Sequence, residues 1–235
     1  MYETDLSQEV KWYYEQRAKT AVANLRRRNI DAQYVPDRRQ ALPIIMEMIP
    51  EGAVVGFGDS VTLIQVGLFQ ALEQRNKNSI LNPFARDEES RLLIDGDARL
   101  EMMQQVLTSD VYIVSANAIT LDGKLVNTDA FGNRVAPMIF GPKKVIVVAG
   151  ANKIVKDVDE ANHRIRNVAA PINAKRHQLK HQRAQYLELP CVRTGACVDC
   201  NHPWRICHYT LIIEGVRMAE KDRTHVVIIG EELGI

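Results

Sequence analysis

Three runs of β-branched residues limit what this chain can become: Asp110-Val-Tyr-Ile-Val-Ser115, Lys144-Val-Ile-Val-Val-Ala149 and Thr224-His-Val-Val-Ile-Ile229. Each is apolar at consecutive positions rather than alternate ones. Strands of that kind are buried on both faces, as in a parallel sheet covered by helices. Helical periodicity fills much of the remaining chain. Residues 7–29 space Val10, Tyr13, Tyr14, Ala18, Ala21, Val22 and Leu25 by three and four, with Arg26, Arg27 and Arg28 in the last turn. This reads as a packed outer helix, and the large Trp12 and Tyr13 make it a candidate homodimer contact. Residues 31–36 read as a short strand ending at Pro36, and residues 41–49 as a helix with Pro43 in its first turn. Residues 53–57 form a strand before a glycine turn and a helix starting near Ser60. A helix over residues 87–108 breaks at Asp95-Gly96, and a polar helical stretch over 157–184 breaks at Pro171. The pattern predicts a single α/β domain over residues 1–235, with helix 7–29 and a cysteine segment at 191–207 as appendages.

Charge narrows the partners. Thirty Lys and Arg against 29 Asp and Glu leave a net charge of +1, too little field to hold nucleic acid or an anionic membrane. The opening MYETDLSQEVKWYYEQ has no apolar core of a signal peptide, and no apolar run approaches membrane-spanning length. The expected location is the cytoplasm, where thiols stay reduced.

Three stretches carry small polar groups at strand ends. In Gly56-Phe-Gly58-Asp-Ser60-Val-Thr62 the glycines permit a sharp turn, and Ser60 or Asp59 caps the next helix, an arrangement that favours an anion. In the second stretch Asp122-Gly123 signals a hairpin. Asn117, Thr120, Asn127, Thr128, Asp129 and Asn133 crowd around it beside Arg134, which suits a carboxylate or phosphate. In the third, Lys153 follows the apolar strand 144–149 and faces the same rim, with Lys143 a weaker candidate. The ligand-site candidates are Gly56, Gly58, Ser60, Thr62, Asn117, Thr120, Asp129, Asn133, Arg134 and Lys153, and the expected ligand is a small anion.

All four cysteines fall in one segment: Cys191, Cys197, Cys200 and Cys207. Disulfides suit neither a reducing compartment nor a chain large enough to build its own core. Structural zinc sites usually combine two short-spaced pairs, and this segment has one CxxC. One CxxC with flanking cysteines and a nearby proline, here Pro203, fits a single-loop iron–sulfur site, with [4Fe–4S] the favoured cofactor and zinc the alternative. His202 and His208 are alternative ligands, and Trp204 a candidate shield against water.

Taken together, Val55-Gly-Phe-Gly-Asp-Ser-Val-Thr-Leu, Ala116-Asn-Ala-Ile-Thr-Leu-Asp-Gly-Lys-Leu-Val-Asn-Thr-Asp, Gly132-Asn-Arg-Val-Ala and Phe140 to Val155 resemble the LUD-domain family of lactate-utilisation proteins. The resemblance implies an α/β three-layer sandwich with a mostly parallel sheet, related to the sugar-phosphate isomerase and CoA-transferase fold. It implies a ligand site around Gly56, Gly58, Ser60, Asn117, Thr120, Asp129 and Arg134. It also implies redox metabolism of a small carboxylate such as lactate or pyruvate, beside an iron–sulfur or flavin redox partner protein. The cysteine segment leaves two alternatives open: a non-redox enzyme using an open-site cluster as a Lewis acid, or a zinc-stabilised binding module.

Overall fold

The computed structural model describes residues 4–89, 91–181 and 184–235. Its strands are β1 (Asp31–Val35), β2 (Val54–Phe57), β3 (Ser79–Leu81), β4 (Val111–Val114), β5 (Ala118–Thr120), β6 (Leu125–Asp129), β7 (Lys144–Gly150), β8 (Ile154–Val155), β9 (Tyr209–Ile213) and β10 (Thr224–Ile229). The helices are α1 (Ser7–Arg27), α2 (Arg38–Glu47), α3 (Val61–Val66), α4 (Leu68–Arg75), α5 (Gly96–Gln105), α6 (Ala136–Ile139), α7 (Val158–Arg164), α8 (Ala170–His181) and α9 (Pro190–Thr194).

Six strands form one sheet in the order β1-β10-β7-β4-β2-β3, every pair parallel. The three β-branched runs are its neighbouring strands β10, β7 and β4. Their side chains alternate between two cores. Ile113, Ile146, Val148, Val227 and Ile229 pack with Ala41, Ile45, Leu63 and Leu72 of α2, α3 and α4. Tyr112, Val114, Val145, Val147, Val226 and Ile228 face the other way, onto Ala18, Ala21 and Leu25 of α1. Each fully buried side chain of this size contributes about 1.5–3 kcal/mol, so the sheet is held from both sides, as a layered α/β sandwich requires.

A smaller sheet, β8-β5-β6-β9, joins the second core through Ile119, Leu125 and Ile213. Its hairpin turns at Gly123, which has a φ of +87° and whose Cβ position would lie only 2.5 Å from the Asn24 backbone, so glycine is required on both counts. The sequence pattern gave no sign of β9.

Three predicted helices are redrawn. Asp37 caps α2 by accepting from Gln40 N at 2.9 Å, so the helix begins earlier and Pro43 lies in its interior rather than its first turn. The stretch predicted as helix from residue 87 is irregular up to Asp95, and α5 starts only at Gly96; residue 90 lies outside the described residues. The stretch 157–184 does not break at Pro171. A π-helical turn, residues 165–169, joins α7 to α8 and absorbs the proline just beyond it; residues 182 and 183 lie outside the described residues.

Candidate functional site

Because the large sheet is parallel, the segments after β2, β4, β7 and β10 all leave from its carboxyl edge, where open α/β folds bind ligands. They bring Ser60 and Thr62, Ser115 and Asn117, Lys153, and Gly234 to one pocket, with Arg134 from the segment after β6. The pocket holds about 60 Å³.

Lys153 is the buried centre of this pocket. Its side chain is 3% exposed, and Nζ donates to Thr62 Oγ1 and Ser115 Oγ, each at 3.0 Å. Burial, then the charges of Arg164 and Arg134, push it down to about 7. The tail after β10 closes against it: a Cβ on Gly234 would fall 2.4 Å from Thr62 Oγ1 and 2.9 Å from Nζ.

A second buried layer holds Arg134 in place. Its Nε donates to Asp129 Oδ1 at 3.0 Å, its backbone N to Oδ2 at 3.1 Å, and Nη2 to the Thr128 carbonyl at 2.7 Å. Tyr112 Oη donates to the Arg134 carbonyl at 3.0 Å. Asn117 and Asn127 tie β6 to the segment after β4. Asn117 N donates to Asn127 Oδ1 at 2.7 Å, and Thr128 N to Asn117 Oδ1 at 2.8 Å.

Next to this pocket lies a chamber of about 210 Å³ that shares Asp59, Ser60 and Arg176 with it. Both Asp59 oxygens are occupied. Arg176 donates to both and Lys180 to one, all at 3.2 Å. Burial raises the Asp59 carboxyl, but Lys180 and Arg176 outweigh it and hold the group well below the usual carboxylate range.

Of the ten ligand candidates, Ser60, Thr62, Asn117, Arg134 and Lys153 line the polar pocket. Gly58 lines the neighbouring chamber, and Asp129 acts on Arg134 rather than on the cavity. Gly56 sits inside β2, where a Cβ would meet Val106 Cγ1 at 2.8 Å; it is glycine for packing. Thr120 is buried in its hairpin, bonded to Asp122 and accepting from Lys124 N at 2.9 Å. Asn133 lies on an outer groove beside Phe131 and Leu100, away from Lys153. Lys143, at the opposite edge of the sheet, pairs with Asp110 at 2.8 Å. Sequence reasoning missed Ser115, Arg164, Arg176 and Lys180. The four-residue spacing of Arg176 and Lys180 on one helix face was their only signal.

The four cysteines line one further cavity, together with Pro171, Ala174, Leu189 and Val198. Burial, followed by the neighbouring Cys200 and Cys207, pushes the Cys191 thiol up. Arg205 braces the loop by donating to the Cys200 carbonyl at 2.6 Å and the Cys207 carbonyl at 2.9 Å. Asp199 N donates to Cys197 Sγ at 3.4 Å. No three His, Cys, Asp or Glu side chains among the described residues converge on a single-ion site. His202 is engaged locally, by Trp204 N at 3.2 Å and Glu188 at 3.7 Å, and Trp204 is 47% exposed and is not among the residues lining the thiol cavity. Cys207 and Ile206 line both the thiol cavity and the polar pocket. The next residue continues the link, with His208 N donating to the Asp129 carbonyl at 3.0 Å.

No helix among the described residues is long and apolar enough to cross a membrane. No curated protein matches the chain. Among solved structures, a DUF162 family protein from Deinococcus radiodurans aligns over 93% of this chain and 97% of its own, at 12% identity and a TM-score of 0.45. The family model described as the LUD domain matches residues 18–229. That span takes in both sheets, the polar pocket up to β10 and all four cysteines, and the chain belongs to the LUD-domain family.

Proposed function

We propose that this chain is an iron–sulfur LUD protein that binds a small hydroxy- or oxo-carboxylate, such as lactate or pyruvate, and takes part in its redox metabolism. The observation that carries this reading is the shared wall: Cys207 and Ile206 border both the thiol-lined cavity and the cation-lined pocket. The donor set fits the cofactor. Four thiols line one largely apolar cavity, and thiolates in a single loop with one CxxC are the donors an iron–sulfur cluster takes. Cys191, Cys197, Cys200 and Cys207 would hold it, and a [4Fe–4S] cluster there supplies one-electron transfer.

The remaining chemistry belongs to the pocket. Its volume of about 60 Å³ takes only a few heavy atoms on a scale where one water needs roughly 10–15 Å³. Arg134 and Arg176 supply guanidinium donors for a carboxylate. Lys153, at about 7, is neutral in a large fraction of molecules near neutral pH and takes the hydroxyl proton when a 2-hydroxy acid is oxidised. That oxidation removes two electrons and two protons: the hydroxyl proton goes to Lys153, and the C2 hydrogen leaves with both electrons as hydride to the flavin of a partner protein, from which iron–sulfur centres carry the electrons away singly. The same wall also suits a non-redox enzyme with an open-site cluster as Lewis acid.

Anaerobic purification with metal analysis and visible absorbance tests the reading. Brown protein with iron and sulfide, whose spectrum responds to lactate, supports it. An unchanged spectrum with lactate, in an iron-loaded protein, favours the Lewis-acid enzyme. Colourless protein with one zinc per chain overturns both and leaves the zinc-stabilised binding module.

A further inference from the structure

We propose that Lys153 is a covalent site for 2-oxo carboxylates: its Nζ condenses reversibly with the ketone carbon of a pyruvate-class ligand. Both amine protons leave with the carbonyl oxygen as water, and a carbon–nitrogen double bond forms. The proposal rests on the carboxylate-binding reading of the pocket and is independent of the cysteine segment.

The geometry is that of a nucleophilic amine rather than a structural cation. A lysine this deeply buried is ordinarily paired with a carboxylate. Among the described residues Lys153 has no carboxylate partner, only the Thr62 and Ser115 hydroxyls at 3.0 Å. The acids that come nearest in function are committed elsewhere: Asp129 to Arg134, and Asp59 to Arg176 and Lys180. Arg164, fixed by its bond to the Asn117 carbonyl at 2.7 Å, and Arg134 add positive charge around the amine. Desolvation and neighbouring cations are the two means by which lysines are kept neutral for imine chemistry.

The pocket also supplies the other requirements. Imine formation needs a group to carry protons to the departing oxygen, and both hydroxyls lie within hydrogen-bond reach of Nζ. It needs an anchor that orients the ketone, and Arg134 and Arg176 line the same cavity for the adjoining carboxylate. A 2-hydroxy acid satisfies the anchor but has no ketone, so it binds without forming an imine.

The test is reductive trapping. The whole protein is incubated with pyruvate, treated with sodium borohydride, and analysed by intact mass and peptide mapping, with pyruvate binding followed in parallel by ligand-observed NMR. The expected result is one adduct per chain, mapped to Lys153, reduced to background in Lys153→Met and absent with lactate. Mapping on the unaltered chain keeps the result independent of how the variant folds. Pyruvate binding with no adduct, or adducts spread over exposed lysines such as Lys11 and Lys143, overturns the imine and leaves the carboxylate pocket standing. No binding and no adduct overturns both.

Discussion

Arg134 and Asp129 meet at 3.0 Å with side chains only 16% and 7% exposed, and both carboxylate oxygens of Asp129 are taken up by Arg134 itself. Removing the acid leaves a buried guanidinium without its counter-charge, which costs about 3–5 kcal/mol in pairs of this kind. Asp129→Ala is therefore expected to lower the urea midpoint sharply. The weaker change Asp129→Asn keeps a hydrogen-bonding oxygen and loses less. In both, carboxylate binding weakens because Arg134 is no longer aimed, a loss that titration of the folded variant with lactate measures.

Gly234 gives a contrast between backbone strain and steric conflict. Its φ of +68° alone penalises alanine, and the new Cβ would also meet Thr62 Oγ1 at 2.4 Å and Lys153 Nζ at 2.9 Å. Gly67 has a similar φ of +81° but nothing within 4 Å of its Cβ position. Gly67→Ala is expected to cost about 1–2 kcal/mol, the ordinary penalty of a left-handed residue. Gly234→Ala is expected to cost more and, unlike Gly67→Ala, to displace Lys153 and weaken ligand binding. Equal ligand affinity in the two variants would count against the tail as a pocket wall.

The strands were legible because burial on both faces of a parallel sheet leaves unbroken apolar runs at 111–114, 145–149 and 226–229. β9 was not, since Tyr209 and Thr210 are exposed on an edge and the strand exists only through its pairing with β6. At the site, Ser60, Asn117, Arg134 and Lys153 were visible as polar residues just past strands. Arg176 and Lys180 come from a helix more than a hundred residues after their partner Asp59, and local pattern carries no sign of that pairing. Thr120 and Asn133 look alike in sequence to the residues that line the pocket. The hairpin takes Thr120 into its own turn, and the segment between β6 and α6 carries Asn133 onto an outer groove.

Arg205 links the carbonyls of Cys200 and Cys207 and so fixes how two thiols present themselves. Arg205→Ala is expected to fold but to retain less iron after anaerobic reconstitution, as counted by metal analysis. Cys197→Ser, Cys200→Ser and Cys207→Ser are each expected to lose the visible absorbance. Cys191, carried on the separate helix α9, decides between readings. Retention of the cluster in Cys191→Ala supports an open-site enzyme, and loss of it supports a four-thiolate electron carrier. A chelator that strips the metal should lower the melting temperature of the unaltered chain and leave Cys200→Ser unaffected.

Lys153 makes stability and ligand binding depend on pH in opposite directions. The folded group titrates at about 7, against 10.5 for the ordinary lysine. Between those values the unfolded chain holds a proton that the folded chain lacks, so unfolding free energy rises with pH across this window. Below about 7 both states are protonated and the cost of the buried charge is fully present; above 10.5 both are neutral and it is gone. The slope approaches about 1.4 kcal/mol per pH unit for one fully desolvated group. Urea titrations of the unaltered chain and of Lys153→Met isolate it, because their difference cancels every other titrating group. That difference should move in favour of the unaltered chain from pH 7 to pH 9. Carboxylate affinity should fall over the same range, as deprotonation of Lys153 lowers the positive charge of the pocket, while Arg134 and Arg176 keep the anchor itself in place. A stability difference that stays flat with pH would mean that Lys153 remains charged in the fold, and would remove the basis for its action as a neutral amine.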